Sequence, residues 1–451
     1  MHELAIVESR ADRASVHICD RLRELADWEV HEDESRSAAD GGGTYYRLET
    51  ESTGVELRSF EAFHLELESP VDAFDCEPDL LVFASRHSGE TGPLLTGHFT
   101  GNFGPAEFGG EDNAVAAACP NALARLRSAF DEYAPAGYDV GMECTHHGPT
   151  DVGCPSLFAE LGSDEAQWDD PDGAEAVARA ILELRGVSPH REEQVVGFGG
   201  NHYAPRFERI VRETPWAVGH IAADWGLEAM GHPDAHRDVL AAAFEASEAD
   251  LAVVDGEWPV LEETIADLGY RTVGETWLRE VGDRPLELVD AVESELGTVE
   301  DGTRFGEIRE SSCTVLELSG ELIDTAEGID PDRVREIVAG HTVAFATENG
   351  GSRVGTQVAV PDADTDDAAD AREEIVAELA AVLEAKYDTV RLEDDAVVAE
   401  RTAFDPELAR EVGVPEGPKF GALADGESVT VDGETVSPER VCRRQTDRFQ
   451  K

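Results

Sequence analysis

Apolar positions recur along this chain in two alternating periods. LAIVES, at residues 4–9, is a short apolar run of strand type, after which Ala14, Ile18, Leu22 and Leu25 return at helical spacing. Ser9, with Asp12 three positions later, reads as a capping box that opens this helix. Residues 80–84 and 195–198 are further strands, and each runs into a segment rich in glycine, histidine or other polar residues. Between them Val177, Ile181 and Leu184 form one face of a helix closed by Gly186. LAVVDG, from Leu251, repeats the strand pattern. Such alternation predicts an α/β fold, a mixed sheet flanked by helices, whose ligands gather beyond the carboxyl ends of strands.

The pattern changes past the helix-like stretch 286–296. We place one domain at residues 1–288 and a smaller α+β extension at 289–451. In the extension, PDADTDDAADAREE, from Pro361, is a charged connector passing into a helix that ends around Tyr387. VPEGPKFGALADGESVTVDGETVSPERV is turn-rich and predicts a small β element. No unit repeats in the manner of a solenoid.

Charge narrows the setting. The 451 residues include 97 Asp plus Glu against 36 Lys plus Arg, a formal charge of −61, and only Lys386, Lys419 and Lys451 are lysines. Such a chain repels itself at low ionic strength. In molar salt the Debye length falls to roughly 3 Å, and a hydrated carboxylate surface becomes tolerable. With 41% hydrophobic residues the chain can still build cores, so the acidity describes a surface and not disorder. These features predict a cytoplasmic protein of a salt-accumulating organism. The N-terminal stretch lacks the basic start and long apolar run of a secretion signal, and nowhere do 18 apolar residues run together, so no membrane span is expected. Seven scattered cysteines without a C-x-x-C pair predict reduced, packing thiols.

Seven of the fourteen histidines, His87, His98, His146, His147, His190, His202 and His220, fall within one span of the chain. GMECTHHGPT, at 141–150, is the densest segment. Read as a strand, it puts Glu143 and His147 on one face and His146 on the other, with Gly148-Pro149 turning the chain where those groups end. Two ligands are too few for zinc, so partners must come from elsewhere. GFGGNHYAPRF, at 197–207, sets three glycines at a strand end with His202 and Tyr203 at its rim. It matches neither a phosphate loop nor a dinucleotide fingerprint. SRHSGETGPLLTGHFTGNFG, at 85–104, adds His87 and His98 among donors suited to sugar or phosphate oxygens, and GHIAADW adds His220. Four such segments at predicted strand ends point to one shared site.

Taken in order, ASRH, LTGHFTGN, ECTHHGPT, PSLFAELGSDEAQW and GGNHYAPRF resemble the archaeal-type D-aminoacyl-tRNA deacylase family, which is shared with plants; the resemblance covers about residues 1–285. It implies hydrolysis of the ester joining a D-amino acid to the terminal ribose of tRNA. It also implies zinc, a monomer, and a core akin to the peptidyl-tRNA hydrolase and nucleoside phosphorylase group. Zinc with neutral histidines and a carboxylate suits that chemistry. Glu143, His147 and His202 are the expected catalytic residues. His87, His98, His146, His147, His202 and His220 are the candidate metal ligands. Ser85, Arg86, Thr100, Asn102, Tyr203 and Arg206 are candidates for holding the terminal adenosine of an aminoacylated tRNA, Tyr203 by stacking. Trp225 is a further stacking candidate, and Arg209 and Arg212 join Arg206 as cations that could meet phosphate. Two other readings stand beside this one. The first is a peptidyl-tRNA hydrolase or phosphorylase-like enzyme, and the second a metal-stabilised tRNA-binding module without catalysis. PEGPKFGALADGESVTVDGE, at 415–434, is faintly similar to a segment near the end of tRNase Z enzymes, though a solubilising role for the extension is the simpler reading.

Overall fold

A computed structural model describes residues 2–50, 52–310, 312–361 and 365–451. The chain divides into two compact units, 1–282 and 283–451.

The first unit is built on an eight-stranded mixed sheet. Its order is Glu29–Asp33, Gly43–Glu49, Thr53–Phe60, His2–Ser9, Leu80–Arg86, Ser156–Gly162, Leu94–His98 and Asp139–Val140. The central strands from Thr53–Phe60 to Ser156–Gly162 are parallel, while Leu94–His98 runs against its neighbour. Central strands are covered on both faces and read as continuous apolar runs; Leu80 to Ala84 are all buried. The helices Arg13–Leu25 and Pro171–Leu182 pack on one another against this sheet. Asp12 caps the first of them by accepting from the Ala14 N–H at 3.0 Å. The expected capping box at Ser9 does not form, because its hydroxyl donates instead to the Ala62 carbonyl at 2.8 Å. The second helix closes one turn earlier than its apolar spacing indicates: Leu184 is buried beyond it, and Gly186, at φ +75°, reverses the chain.

A second sheet in this unit is parallel, in the order Ala217–Ala222, Gln194–Gly199, Leu251–Asp255 and Arg271–Thr272. Phe198, Phe244, Leu240 and Val196 form the core between this sheet and its helices. Among the described residues no helix is long and apolar enough to cross a membrane.

The second unit begins before the helix Leu286–Leu296. It contains an antiparallel four-stranded sheet covered by Gly320–Glu327, Pro331–His341 and Thr365–Leu383. Asp362, Ala363 and Asp364 of the charged connector lie outside the described residues; the helix begins within the expected connector, at Thr365, and ends at Leu383. A three-stranded sheet follows, and the turn-rich tail folds into the hairpin Val429–Val431 and Glu434–Val436.

Candidate functional site

The two sheets of the first unit meet at the segment 141–147. Backbone N–H groups of Gly141 and Glu143 donate to the carbonyls of Leu95 and Gly97 at 3.1 Å, continuing the pairing of Asp139–Val140 with the first sheet. The next two N–H groups turn to the other sheet: Cys144 donates to His202 and Thr145 to Ile221, both at 2.9 Å. Strand character therefore ends at Glu143. Beyond that point the period of two fails, which corrects the expectation that His146 faces away from Glu143. The His146 Nε2 lies 3.8 Å from Glu143 Oε2, and the rings of His146 and His147 are 4.0 Å apart between centres.

Around this bend the carboxyl ends of three strands converge. Leu80–Arg86 supplies Ser85 and leads into His87; Ser156–Gly162 supplies Glu160; Gln194–Gly199 leads into His202 and Tyr203. Phe158 pairs with His98 and Glu160 with Thr96 across the antiparallel ladder, while Glu160 pairs with Ser85 across the parallel one. These residues thus share one face.

At the centre, the fully buried Glu143 carboxylate accepts from His202 Nε2 at 2.8 Å and faces His87 Nδ1 at 3.1 Å. His87 also lies 3.6 Å from Glu160, whose other oxygen is 3.7 Å from His98 Nε2. Burial opposes charge on all of these groups, but their mutual pairing wins. Glu143 is held well below the carboxylate range by His202 and His87, and Glu160 is lowered by His87 and His98. The two carboxylates in turn push His87 up to about 10, so that it is an imidazolium at neutral pH.

His146 and His147 behave oppositely. Burial drives His146 down to about 3 and His147 well below its usual value, with neighbouring histidines adding to the effect. Both are therefore neutral. His146 Nδ1 is 2.8 Å from the Cys144 carbonyl and His98 Nδ1 is 2.9 Å from that of Phe99. A carbonyl only accepts, so each Nδ1 carries a proton; His146 Nε2 is left with its lone pair, whereas at His98 burial opposes and Glu160 favours a second proton on Nε2. His98 Nε2 and His147 Nδ1 are buried without a hydrogen-bond partner. The ligand atoms of His98, His146 and His147 lie within 4.8 Å of one another, as do those of Cys144, His146 and His202, and those of His87, Glu143 and Glu160. Unpartnered imidazole nitrogens this close together suit a borderline-soft cation such as zinc.

The cluster forms one wall of a cleft of about 450 Å³, lined opposite by Phe63, Leu65, Arg86 and the exposed Phe108. A larger cleft of about 540 Å³ is lined by Glu66, Glu68, Glu111 and Asp151 and contains none of these histidines.

Not every expected residue reaches the site. His220 is fully buried elsewhere, with Nδ1 on Thr145 Oγ1 at 2.9 Å and Nε2 on the Ala116 carbonyl at 2.8 Å, so neither nitrogen is open to a metal. Thr100 bonds Ser156, and Asn102 donates to the Gly109 and Glu111 carbonyls. Arg206 donates to the Val254 carbonyl and Asp255. None of these three lines the cleft. Ser85 is buried behind it, between His64 Nε2 at 3.0 Å and Glu160 at 3.1 Å. Tyr203 stands at the rim, its hydroxyl 3.4 Å from His87 Nε2. Arg86 lines the cleft.

Sequence reasoning passed over Glu160, His64 and Phe108. Glu160 carried a signal: it is the one acidic residue within the otherwise apolar and small run SLFAELG, and a carboxylate in a buried strand needs a partner. His64 and Phe108 had none.

Comparison with known proteins gives the chain its relatives. A profile described as D-aminoacyl-tRNA deacylase matches residues 74–272. The D-aminoacyl-tRNA deacylase of Halorubrum lacusprofundi is 52% identical over 99% of this chain and 96% of its own length. That of Natronomonas pharaonis is 54% identical over 99% of this chain and all of its own. Both alignments run through the second unit. Among solved structures, that of a conserved protein of unknown function, AF0625, has a TM-score of 0.54 and 26% identity over 62% of this chain and 96% of its own. The full-length identity to these named relatives, together with the convergence of the five segments that carry the resemblance, establishes that this chain belongs to the D-aminoacyl-tRNA deacylase family.

Proposed function

We propose that this protein hydrolyses the ester of D-aminoacyl-tRNA, releasing a free D-amino acid and tRNA, with a zinc ion held by His98, His146 and His147. The observation that carries the reading is the Glu143–His202 and Glu143–His87 pairing at the edge of the cleft, beside three imidazoles whose nitrogens converge.

His202 and the imidazolium of His87 divide the work. Glu143 is ionised and can only accept, so His202 Nε2 donates to it, and the Nδ1 lone pair accepts from the Cys144 thiol at 3.7 Å. His202 is the half-exposed member of the cluster. In the proposed step the weak thiol contact gives way and Nδ1 takes the proton of the attacking water. His87 is fixed through Nδ1 by two carboxylates, leaving its Nε2–H beside the Tyr203 hydroxyl at the cleft. From there it stabilises the negative charge that develops on the ester oxygen and returns a proton to the leaving ribose hydroxyl. Bound zinc supplies Lewis-acid polarisation of the ester. His98 would hold the ion through Nε2, where Glu160 otherwise favours a proton.

We take the protein to act as a monomer, as the family resemblance implies. The mixed sheet flanked by helices supports kinship of the core with the peptidyl-tRNA hydrolase and nucleoside phosphorylase group. The second unit aligns with the deacylase relatives throughout, which supports a shared role in the same enzyme.

Matched D- and L-tyrosyl-tRNA in molar KCl, with and without a chelator, test the proposal. D-selective release that the chelator abolishes and zinc restores is expected. Equal release from both enantiomers, or none, would remove the deacylase reading; D-selective release insensitive to the chelator would remove zinc alone.

A further inference from the structure

Arginines near the site are mostly taken by carboxylates. Arg209 grips both oxygens of Glu275, Arg212 meets Glu208 and Glu213, and Arg206 is held at Asp255. Arg86 is different. It lines the cleft beside His87, yet among the described residues no carboxylate lies within 4 Å of its guanidinium nitrogens.

Its placement is nonetheless rigid. The Arg86 backbone N–H donates to the buried Asp12 carboxylate at 2.9 Å. Its guanidinium carbon stands 5.1 Å from the ring centre of Phe63 and 5.2 Å from that of Trp168. Trp168 is itself anchored, its indole N–H donating to the His87 carbonyl at 3.0 Å. Two aromatic rings thus hold the fork by attraction between cation and π-face and leave its N–H edge for another acceptor. A guanidinium presented in this way matches the paired oxygens of a phosphate.

The geometry points to Arg86 as the anchor for a phosphodiester of the unpaired RNA end, next to the nucleoside whose ester is cleaved at Glu143, His87 and His202. This rests on the deacylase reading above. It also answers how a chain of charge −61 holds RNA. Molar salt screens exposed cations almost completely, whereas a half-buried, pre-oriented fork binds by direct hydrogen bonds.

The test compares wild type, Arg86→Lys and Arg86→Gln on D-tyrosyl-tRNA and on D-tyrosyl-adenosine, an ester without any phosphate, in molar KCl. On tRNA, kcat/KM falls mainly through KM, and this loss exceeds the loss on the adenosine ester by at least about tenfold, the scale of one charge-assisted contact. Lysine, which keeps the charge and loses the fork, restores only part of it. Equal losses on both esters overturn the anchor and make Arg86 a support for His87. A second measurement does not depend on turnover: anisotropy of a labelled tetranucleotide of the tRNA 3′ end binding to each protein. Binding weakened about tenfold in Arg86→Gln, with an unchanged near-UV spectrum, is expected; equal binding overturns the proposal. Wild type that binds the RNA through Arg86 but cleaves neither ester removes the deacylase reading and leaves the anchor standing.

Discussion

Glu143→Gln tests the centre of the site with almost no change in shape. The carboxylate accepts from His202 at 2.8 Å and faces His87 at 3.1 Å, with its side chain fully buried. An amide has one acceptor oxygen where the carboxylate has two. If that oxygen keeps His202, the amide nitrogen points its hydrogens at His87, donor against donor; the reverse orientation loses the tautomer that keeps His202 Nδ1 an acceptor. One charge-assisted bond is worth roughly 1.5–3 kcal/mol, and a buried donor left without a partner costs roughly 1–3 kcal/mol more. A total of about 3–6 kcal/mol acting on the transition state lowers kcat by about 10²–10⁴-fold. The assay is release of tyrosine from D-tyrosyl-tRNA in molar KCl, with near-UV circular dichroism to confirm the fold. Because His87 loses one of the two anions that hold it up to about 10, the alkaline limb of the pH–rate profile also moves to lower pH. A folded Glu143→Gln protein with kcat within about threefold of wild type and an unmoved alkaline limb would refute the assignment of Glu143 as the orienting anion.

Other consequences follow from the same structure. His98→Ala and His147→Ala each lose stoichiometric zinc, measured by elemental analysis after gel filtration, while His220→Asn retains it, since His220 is engaged by Thr145 and Ala116. Asp12 is pushed up to about 6 by burial, from an ordinary 3.8. Its folded form holds the proton more tightly than its unfolded form, so its contribution is complete below the unfolded value and is lost as pH rises through about 6. The loss is roughly 3 kcal/mol, at 1.36 kcal/mol per unit. Denaturant titrations of wild type against Asp12→Asn at pH 4 and pH 7 should show this difference, and parallel curves would contradict it. Removal of salt should unfold the protein and abolish activity together, because a charge of −61 is then unscreened; a native spectrum with full activity in dilute buffer would contradict this.

By itself the sequence determined the local elements and the identity of most of the chemistry. Apolar runs and helical spacing located His2–Ser9, Leu80–Arg86, Gln194–Gly199, Leu251–Asp255 and Leu286–Leu296, because side-chain direction within a strand or helix is a property of the neighbouring residues. Glu143 and His202 were legible as partners because both end on glycine-bounded strand termini. Tertiary structure alone decided which faces met. Period-two reasoning put His146 on the strand face opposite Glu143, but the N–H groups of Glu143, Cys144 and Thr145 bond to two different sheets, at Gly97, His202 and Ile221, and the bend this imposes brings His146 to the same side. Glu160 and His98 enter because their strands are neighbours in the sheet although far apart in the chain. His220 is excluded because its strand leads it to Ala116 and Thr145 instead. Arg206 and Arg86 are both arginines beside the predicted site. Only the pairing of one with Asp255, and the placing of the other between Phe63 and Trp168, separates a structural cation from one available to a ligand. Hydrogen bonds between segments distant in sequence set these outcomes, and no local periodicity encodes them.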